Sequence, residues 1–174
     1  MDFENLDYLK NGNTAQKQAF DVLRKYQIMT ILQAYEPILA GTFPININIE
    51  NSDLDIICYW NNKTEFRSCL LNQFQQHNNF TIEEQLHSGN QTIVSNFSVG
   101  GFEVEIFGQN IPTKLQYAYR HLLVEHEILK VKGENFRQQI IKLKKEGLKT
   151  EPAFCQLLGI DGNPYESLLN YQIR

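Results

Sequence analysis

Two pairs of carboxylates are spaced to do chemistry: Asp53 and Asp55 in SDLDII, and Glu103 and Glu105 in FEVEIF. Each pair brackets an apolar residue, Leu54 or Val104, inside an apolar run that reads as a strand. Side chains alternate along a strand, so both acids of a pair fall on one face while the bracketed residue points to the core. Like charges that close repel, and the arrangement is costly unless a cation or a proton sits between them. A hard divalent cation, Mg²⁺ or Mn²⁺, takes oxygen ligands of this kind. Two such ions can clamp the attacking and leaving oxygens of a phosphoryl transfer. Acids two apart also occur at Asp2/Glu4 and Glu125/Glu127, so the spacing alone has a plain counter-reading, the wet face of an antiparallel sheet.

The elements that must hold these acids follow from periodicity. Asn13 or Thr14 caps a helix with Ala19, Phe20, Val22, Leu23 and Tyr26 at helical spacing, and Ile28 to Tyr35 continues helical until Glu36-Pro37. Pro37 to Ala40 reads as a short strand ending at Gly41, and Asp53 to Trp60 as a second. A helix spans Thr64 to His77. Phe80 to His87 and Gln91 to Val99 form a hairpin through Ser88-Gly89-Asn90, with Gly89-Asn90 as a type II′ turn. Phe102 to Phe107 alternates strictly as a further strand. From Thr113 the pattern is helical: 113–131, 134–146, then two short helices near 151–158 and 164–171. The expected fold is α/β (α+β in the other naming habit), a mixed sheet of about five strands with flanking helices and a helical C-terminal third. With 174 residues and no composition break, one domain over 1–174 is expected, helices and sheet in 1–112 and a helical part in 113–174.

The net charge of −4 does not indicate nucleic-acid binding, although it hides an asymmetry. Residues 1–109 carry 6 Lys/Arg against 13 Asp/Glu, whereas 110–150 carry 9 against 4. That split reads either as acidic metal ligands facing phosphate-binding bases or as a solvated helical face. Cys58, Cys69 and Cys155 are odd in number and too scattered for a disulfide framework or a zinc site. The N-terminus has no basic-then-apolar leader, and no apolar run approaches the roughly 20 residues of a membrane span, so a cytoplasmic protein with no membrane partner is expected.

Gly41-Thr42, the ten-residue spacer before Asp53, the stretch Ser52-Asp53-Leu54-Asp55-Ile56 and the later Val104-Glu105-Ile106 together resemble the polymerase-β-like nucleotidyltransferase superfamily. Over nearly the whole chain, LAGTFPININIENSDLDIIC, GGFEVEIFGQ, QYAYRHLLVEHEIL and LKKEGLKTEPAFCQLLGIDGNPYESLL are similar to the bacterial family catalogued as domain of unknown function 4269, grouped with nucleotidyltransferases. The resemblance implies transfer of a nucleotidyl group from a nucleoside triphosphate such as ATP to an unknown acceptor. It implies Asp53, Asp55 and a third acid as metal ligands and catalytic groups, with Mg²⁺ (or Mn²⁺) as cofactor. Glu105 is favoured as third acid over Glu103, because two apolar residues separate it from Gly108. Gly41, Thr42 and Ser52 would contact the substrate, Gly41 by letting backbone N–H groups approach a phosphate and Thr42 through its hydroxyl.

Tyr117, His121 and Glu125 fall at i, i+4 and i+8, with Gln116 and Arg120 in a neighbouring row. If that face overlooks the acids, Arg120 would bind the triphosphate and His121 would serve proton transfer; otherwise it is a surface stripe of ion pairs between Glu125 and Arg120 or His121. Lys142, Lys144, Lys145 and Lys149 read as substrate-guiding bases or as solvated lysines late in a helix. His77, His87 and His126 read as surface residues, and Trp60 as a cover over the core. A second functional class remains beside the enzyme: a catalytically inactive binding or regulatory protein of the same fold, such as a toxin–antitoxin-like partner.

Overall fold

The structure is a computed structural model and describes residues 1–172. Three helices open the chain: α1 (Asp7–Lys10), α2 (Thr14–Lys25) and α3 (Ile28–Ile31), with a 3₁₀ turn at Gln33–Tyr35. The Asn13 side chain accepts from the Gln16 N–H while Gln16 reaches back to the Asn13 N–H, a reciprocal cap that fixes where α2 starts. Then come β1 (Ile38–Leu39), β2 (Leu54–Tyr59), α4 (Lys63–Phe74), β3 (Asn78–His87), β4 (Asn90–Val99) and β5 (Phe102–Gln109). The last part is α5 (Tyr117–Lys145), α6 (Thr150–Leu158) and α7 (Pro164–Ser167).

The five strands form one mixed sheet in the order β1-β2-β5-β4-β3, with β2 and β5 parallel and the other neighbours antiparallel. One face carries Leu54, Ile56 and Cys58 of β2, Val104 and Ile106 of β5, and Ile93 and Phe97 of β4. All are buried against Leu23, Ile28, Phe66, Leu70 and Phe74 of the helices. Gly108 lies under the Phe66 ring, where an added Cβ would come within 2.1 Å of it. A second apolar cluster joins Leu122, Ile128, Leu129 and Ile140 of α5 to Phe154 of α6. It also takes in Ile45 and Ile47 of the β1–β2 connection. Helices on both sides of the sheet therefore clamp that connection in place.

Two local expectations are corrected and a third is met. The hairpin turn is Ser88-Gly89, both at positive φ (50° and 79°) between the paired residues His87 and Asn90, which suits a type I′ turn and its twist. The long helix starts at Tyr117, because Thr113–Leu115 forms a separate 3₁₀ turn. Within α5 the helical backbone breaks at Gly133 (φ 77°, ψ −170°), in the gap expected between 113–131 and 134–146, so the residues after it follow a new phase. Among the described residues no helix is long and apolar enough to cross a membrane, and the three cysteines are free.

Candidate active site

The sheet register decides where the acids go. Asp55 pairs directly with Glu105 across the parallel β2–β5 ladder, and Leu54 pairs with Val104. Asp53, Asp55 and Ile57 therefore share one face with Glu103, Glu105 and Phe107. One end of that face, at Ile57 and Phe107, is covered by Ala118 and Tyr119 of α5. Asp55 and Glu105 come next, and Asp53 lies at the open end, exposed.

The electrostatics follow this gradient. Burial, with Glu105 and Asp53 beside it, raises Asp55 to about 7. Burial and then Asp53 raise Glu105, while burial and then Glu103 raise Asp53. Gly41 is at positive φ (66°), and a Cβ there would stand 2.0 Å from Asp55 Oδ2. The Asp55 carboxylate is thus seated directly on the Gly41 α-carbon, a contact open only to glycine. Gly41→Ala should cost about 1–2 kcal/mol from the left-handed backbone alone, and should unseat Asp55. Chemical denaturation reads the first effect, and loss of any Mg²⁺-linked stabilisation reads the second.

The Thr42 hydroxyl is buried with no hydrogen-bond partner, an open position for a ligand acceptor such as a phosphate oxygen. Ser52 Oγ is engaged, accepting from the Ile49 N–H at 2.9 Å in a tight turn, although the residue lines the neighbouring cleft. Glu103 accepts a short hydrogen bond from Ser98, itself held by Asn79. That ties Glu103 to the β4 side, while Glu105 faces Asp55.

The acids share a face but not one cavity. Asp53 and Glu103 line an open cleft of ≈ 940 Å³ with Gly100, Gly101 and Lys145. Glu105 lines a second cleft of ≈ 630 Å³ with His87, Tyr117, His121, Lys149 and Tyr165. Asp55 lies in register with Glu105 and lines neither. The donor set is all hard oxygen, and its net charge is only partly offset by Lys144 and Lys149, so the residues fit a hard divalent cation. Among the described residues no three His, Cys, Asp or Glu side chains form a closed ligand group, consistent with like charges holding apart.

The α5 face departs from the surface-stripe expectation. His121 and Glu125 are 5% and 3% exposed. His121 pairs with Glu151 of α6 (Nδ1 to Oε1, 3.4 Å) instead of Glu125, and its Nε2 lies 2.7 Å from the Tyr165 carbonyl oxygen. Tyr117 stays half-exposed. Arg120 is exposed, lies over the Tyr117 ring at 5.6 Å and lines a small pocket adjoining the Glu105 cleft. His77 stacks on Phe97 at 5.1 Å and His126 meets Phe3 edge-on at 5.2 Å, so neither is a free surface residue. Only His87 of the three is exposed, and it lines the cleft beside Glu105. Trp60 is buried, as a core cover would be.

Sequence reasoning missed the role of Lys144, which it grouped with Lys142, Lys145 and Lys149 as substrate-guiding or solvated. Lys142, Lys145 and Lys149 are exposed, but Lys144 is only 8% exposed and donates to the Ile47 carbonyl at 2.9 Å. Burial lowers it to about 8, against the pull of Glu125, Asp55 and Glu151. Glu125, raised well above the carboxylate range by burial and then Glu151, keeps one oxygen without a partner. The signal was present: Glu125 sits within the stripe of Leu122, Ile128 and Leu129, and Lys144 lies four residues after buried Ile140.

Residues 21–171 match the model of a family described as a domain of unknown function, DUF4269. Solved structures with the same fold include the Cid1 poly(U) polymerase (13% identity, TM-score 0.54, 74% of this chain and 41% of that one). The GLD-2/RNP-8 complex (14%, 0.54, 87% and 60%) and the polymerase core of the TRAMP RNA surveillance complex (12%, 0.52, 90% and 49%) share it too. The chain spans between about two-fifths and three-fifths of the length of these neighbours. No protein of curated function matches the sequence.

Proposed function

We propose that this protein, which belongs to the DUF4269 family, moves a nucleotidyl group from a nucleoside triphosphate to an acceptor, with Asp53, Asp55 and Glu105 holding Mg²⁺ or Mn²⁺. The observation that carries the reading is Asp55, half-buried with its carboxylate seated on Gly41 and directly across the ladder from Glu105. Half-buried Asp55 and Glu105, with Asp53 beside them, repel one another at a cost in stability that a cation relieves. Neighbours of the same fold support the substrate class: Cid1 was captured with MgGTP and is described as selective for UTP.

A divalent cation held by these acids would bind the triphosphate and offset the charge that develops as the phosphorus–oxygen bond breaks. The chain's own residues do the rest. The Thr42 hydroxyl donates to a phosphate oxygen, and Gly41 admits the backbone close to it. As the acceptor's oxygen bonds to the α-phosphorus and pyrophosphate leaves, Asp55 or Glu105 takes the proton of the acceptor's hydroxyl. Lys149 and Arg120 lie on the Glu105 side, within reach of an incoming anion. The acidic cleft at Asp53, like the net charge, does not select a nucleic-acid acceptor. The proposal includes a cytoplasmic setting.

Titrating Mg²⁺ and Mn²⁺ with ATP, GTP, CTP and UTP, and following the melting temperature, tests the reading, because a ligand of the native state stabilises by mass action. Wild type should gain several degrees with at least one metal–nucleotide pair, and Asp53→Asn should gain little. Equal melting of both proteins in all conditions would sink it. That result would favour the second reading, a binding or regulatory protein without turnover. The specific observation behind this second reading is Lys144, a buried ammonium that already supplies Asp55 with part of the positive charge a metal would bring.

A further inference from the structure

The connection between Gly41 and Asp53 has five consecutive carbonyls, those of residues 43 to 47, each taken by a side chain from a distant helix. Gln16 of α2 donates to Phe43 O (2.8 Å) and Pro44 O (3.4 Å). Arg137 of α5 donates to Ile45 O and to Asn46 O (3.4 Å), and Lys144 of α5 to Ile47 O (2.9 Å). Ile47 in turn donates its N–H to Thr42 O at 3.1 Å. An unbroken path therefore runs from the Lys144 ammonium through Ile47 to Thr42. A loop's carbonyls are ordinarily left to water, and a row of five bound by fixed side chains is a clamp.

We infer that Arg137 and Lys144 are positioning residues for nucleotide binding: they hold the Gly41-Thr42 turn in register with the acids without touching the substrate. The basic second half of α5 thus serves the site through the loop's carbonyls instead of guiding a polyanion. A trans peptide points its N–H opposite its C=O. Fixing carbonyls 45 to 47 towards α5 therefore turns the following N–H groups away from that helix and sets the path on which Thr42 depends. Arg137 reaches both carbonyls with one nitrogen, Nη1, while its Nε pairs with Glu134 at 3.1 Å, which anchors the guanidinium in that orientation.

The inference rests on the proposed function, and the test separates the two. Arg137→Met and Arg137→Lys are compared with wild type for the melting shift given by Mg²⁺ alone, by Mn²⁺ alone and by each with ATP, GTP, CTP or UTP. Hydrogen exchange is followed at the amides of 42–48. Arg137→Met should weaken apparent nucleotide affinity at least tenfold, speed exchange in the loop and leave the metal-only shift in place. Arg137→Lys, which keeps one donor, should recover part of the nucleotide response and supplies the comparison if the methionine variant does not fold. Faster loop exchange with unchanged nucleotide affinity would overturn the inference and make Arg137 merely structural, with the proposed function intact. A wild type that answers no nucleotide would overturn both.

Discussion

Asp55→Asn should abolish metal-dependent transfer and yet leave the metal-free protein more stable above neutral pH. Asp55 is raised from 3.8 in an ordinary setting to about 7 by burial and then by Glu105 and Asp53. Between these values the folded chain keeps a proton that the unfolded chain has lost. Stability falls with rising pH wherever the folded state binds more protons. The penalty is therefore absent below about pH 4, grows through pH 4 to 7 and is complete above 7. It amounts to on the order of 4 kcal/mol at 1.36 kcal/mol per pKa unit. Asparagine cannot ionise, so the variant should match wild type near pH 4 and exceed it near pH 8. Lys144 returns part of the gain, since it loses one of its three carboxylates. Metal affinity of wild type should rise with pH through 7, because binding must expel the Asp55 proton. Denaturant melts at pH 5 and pH 8, with and without Mg²⁺, read all of this. A variant less stable than wild type at pH 8 without metal would show that Asp55 is already compensated and that the site needs no cation.

Much of the frame was legible because it depends on near neighbours. Alternation marked β5, Asn13 or Thr14 as a cap placed the start of α2 to within a residue, and period two put Asp53 with Asp55 and Glu103 with Glu105 on shared faces. The turn at Ser88-Gly89 was misjudged by one residue, since the pairing of His87 with Asn90 depends on the whole hairpin register. The support of the site was not legible, and distance along the chain is the reason. Lys144 meets Ile47 and Arg137 meets Ile45 across more than ninety residues, and His121 finds its carboxylate on α6. Periodicity shows that a side chain faces inward, as it does for Glu125 and Lys144. Which charge it meets there is set by tertiary packing.

Lys144→Met should be strongly destabilising, and the loss should depend on Asp55. Methionine nearly matches the lysine stem in length, so packing among Ile47, Ile140 and the α6 contacts changes little; what disappears is the ammonium. Three consequences follow. The Ile47 carbonyl loses its donor, buried Glu125 loses the cation that lowers it, and Asp55 loses the cation that lowers it. Removing one partner of a buried charge group costs about 3–5 kcal/mol. Part of that is offset, because burying the ammonium is itself unfavourable: folding lowers Lys144 from 10.5 to about 8, a penalty present below pH 8 and gone above 10.5. The acids decide the balance. Near pH 5, Asp55 is protonated in the folded state and needs no cation, so the substitution should cost about 1 kcal/mol, the worth of the Ile47 hydrogen bond. Near pH 8, Asp55 is ionised and the cost should rise to about 3 kcal/mol. Adding Asp55→Asn should then recover most of the pH-dependent part, giving a coupling well beyond the roughly 0.5 kcal/mol within which independent sites add. Additive losses in that double-mutant cycle at pH 8 would mean that Lys144 serves the loop alone and does not act on the acidic site.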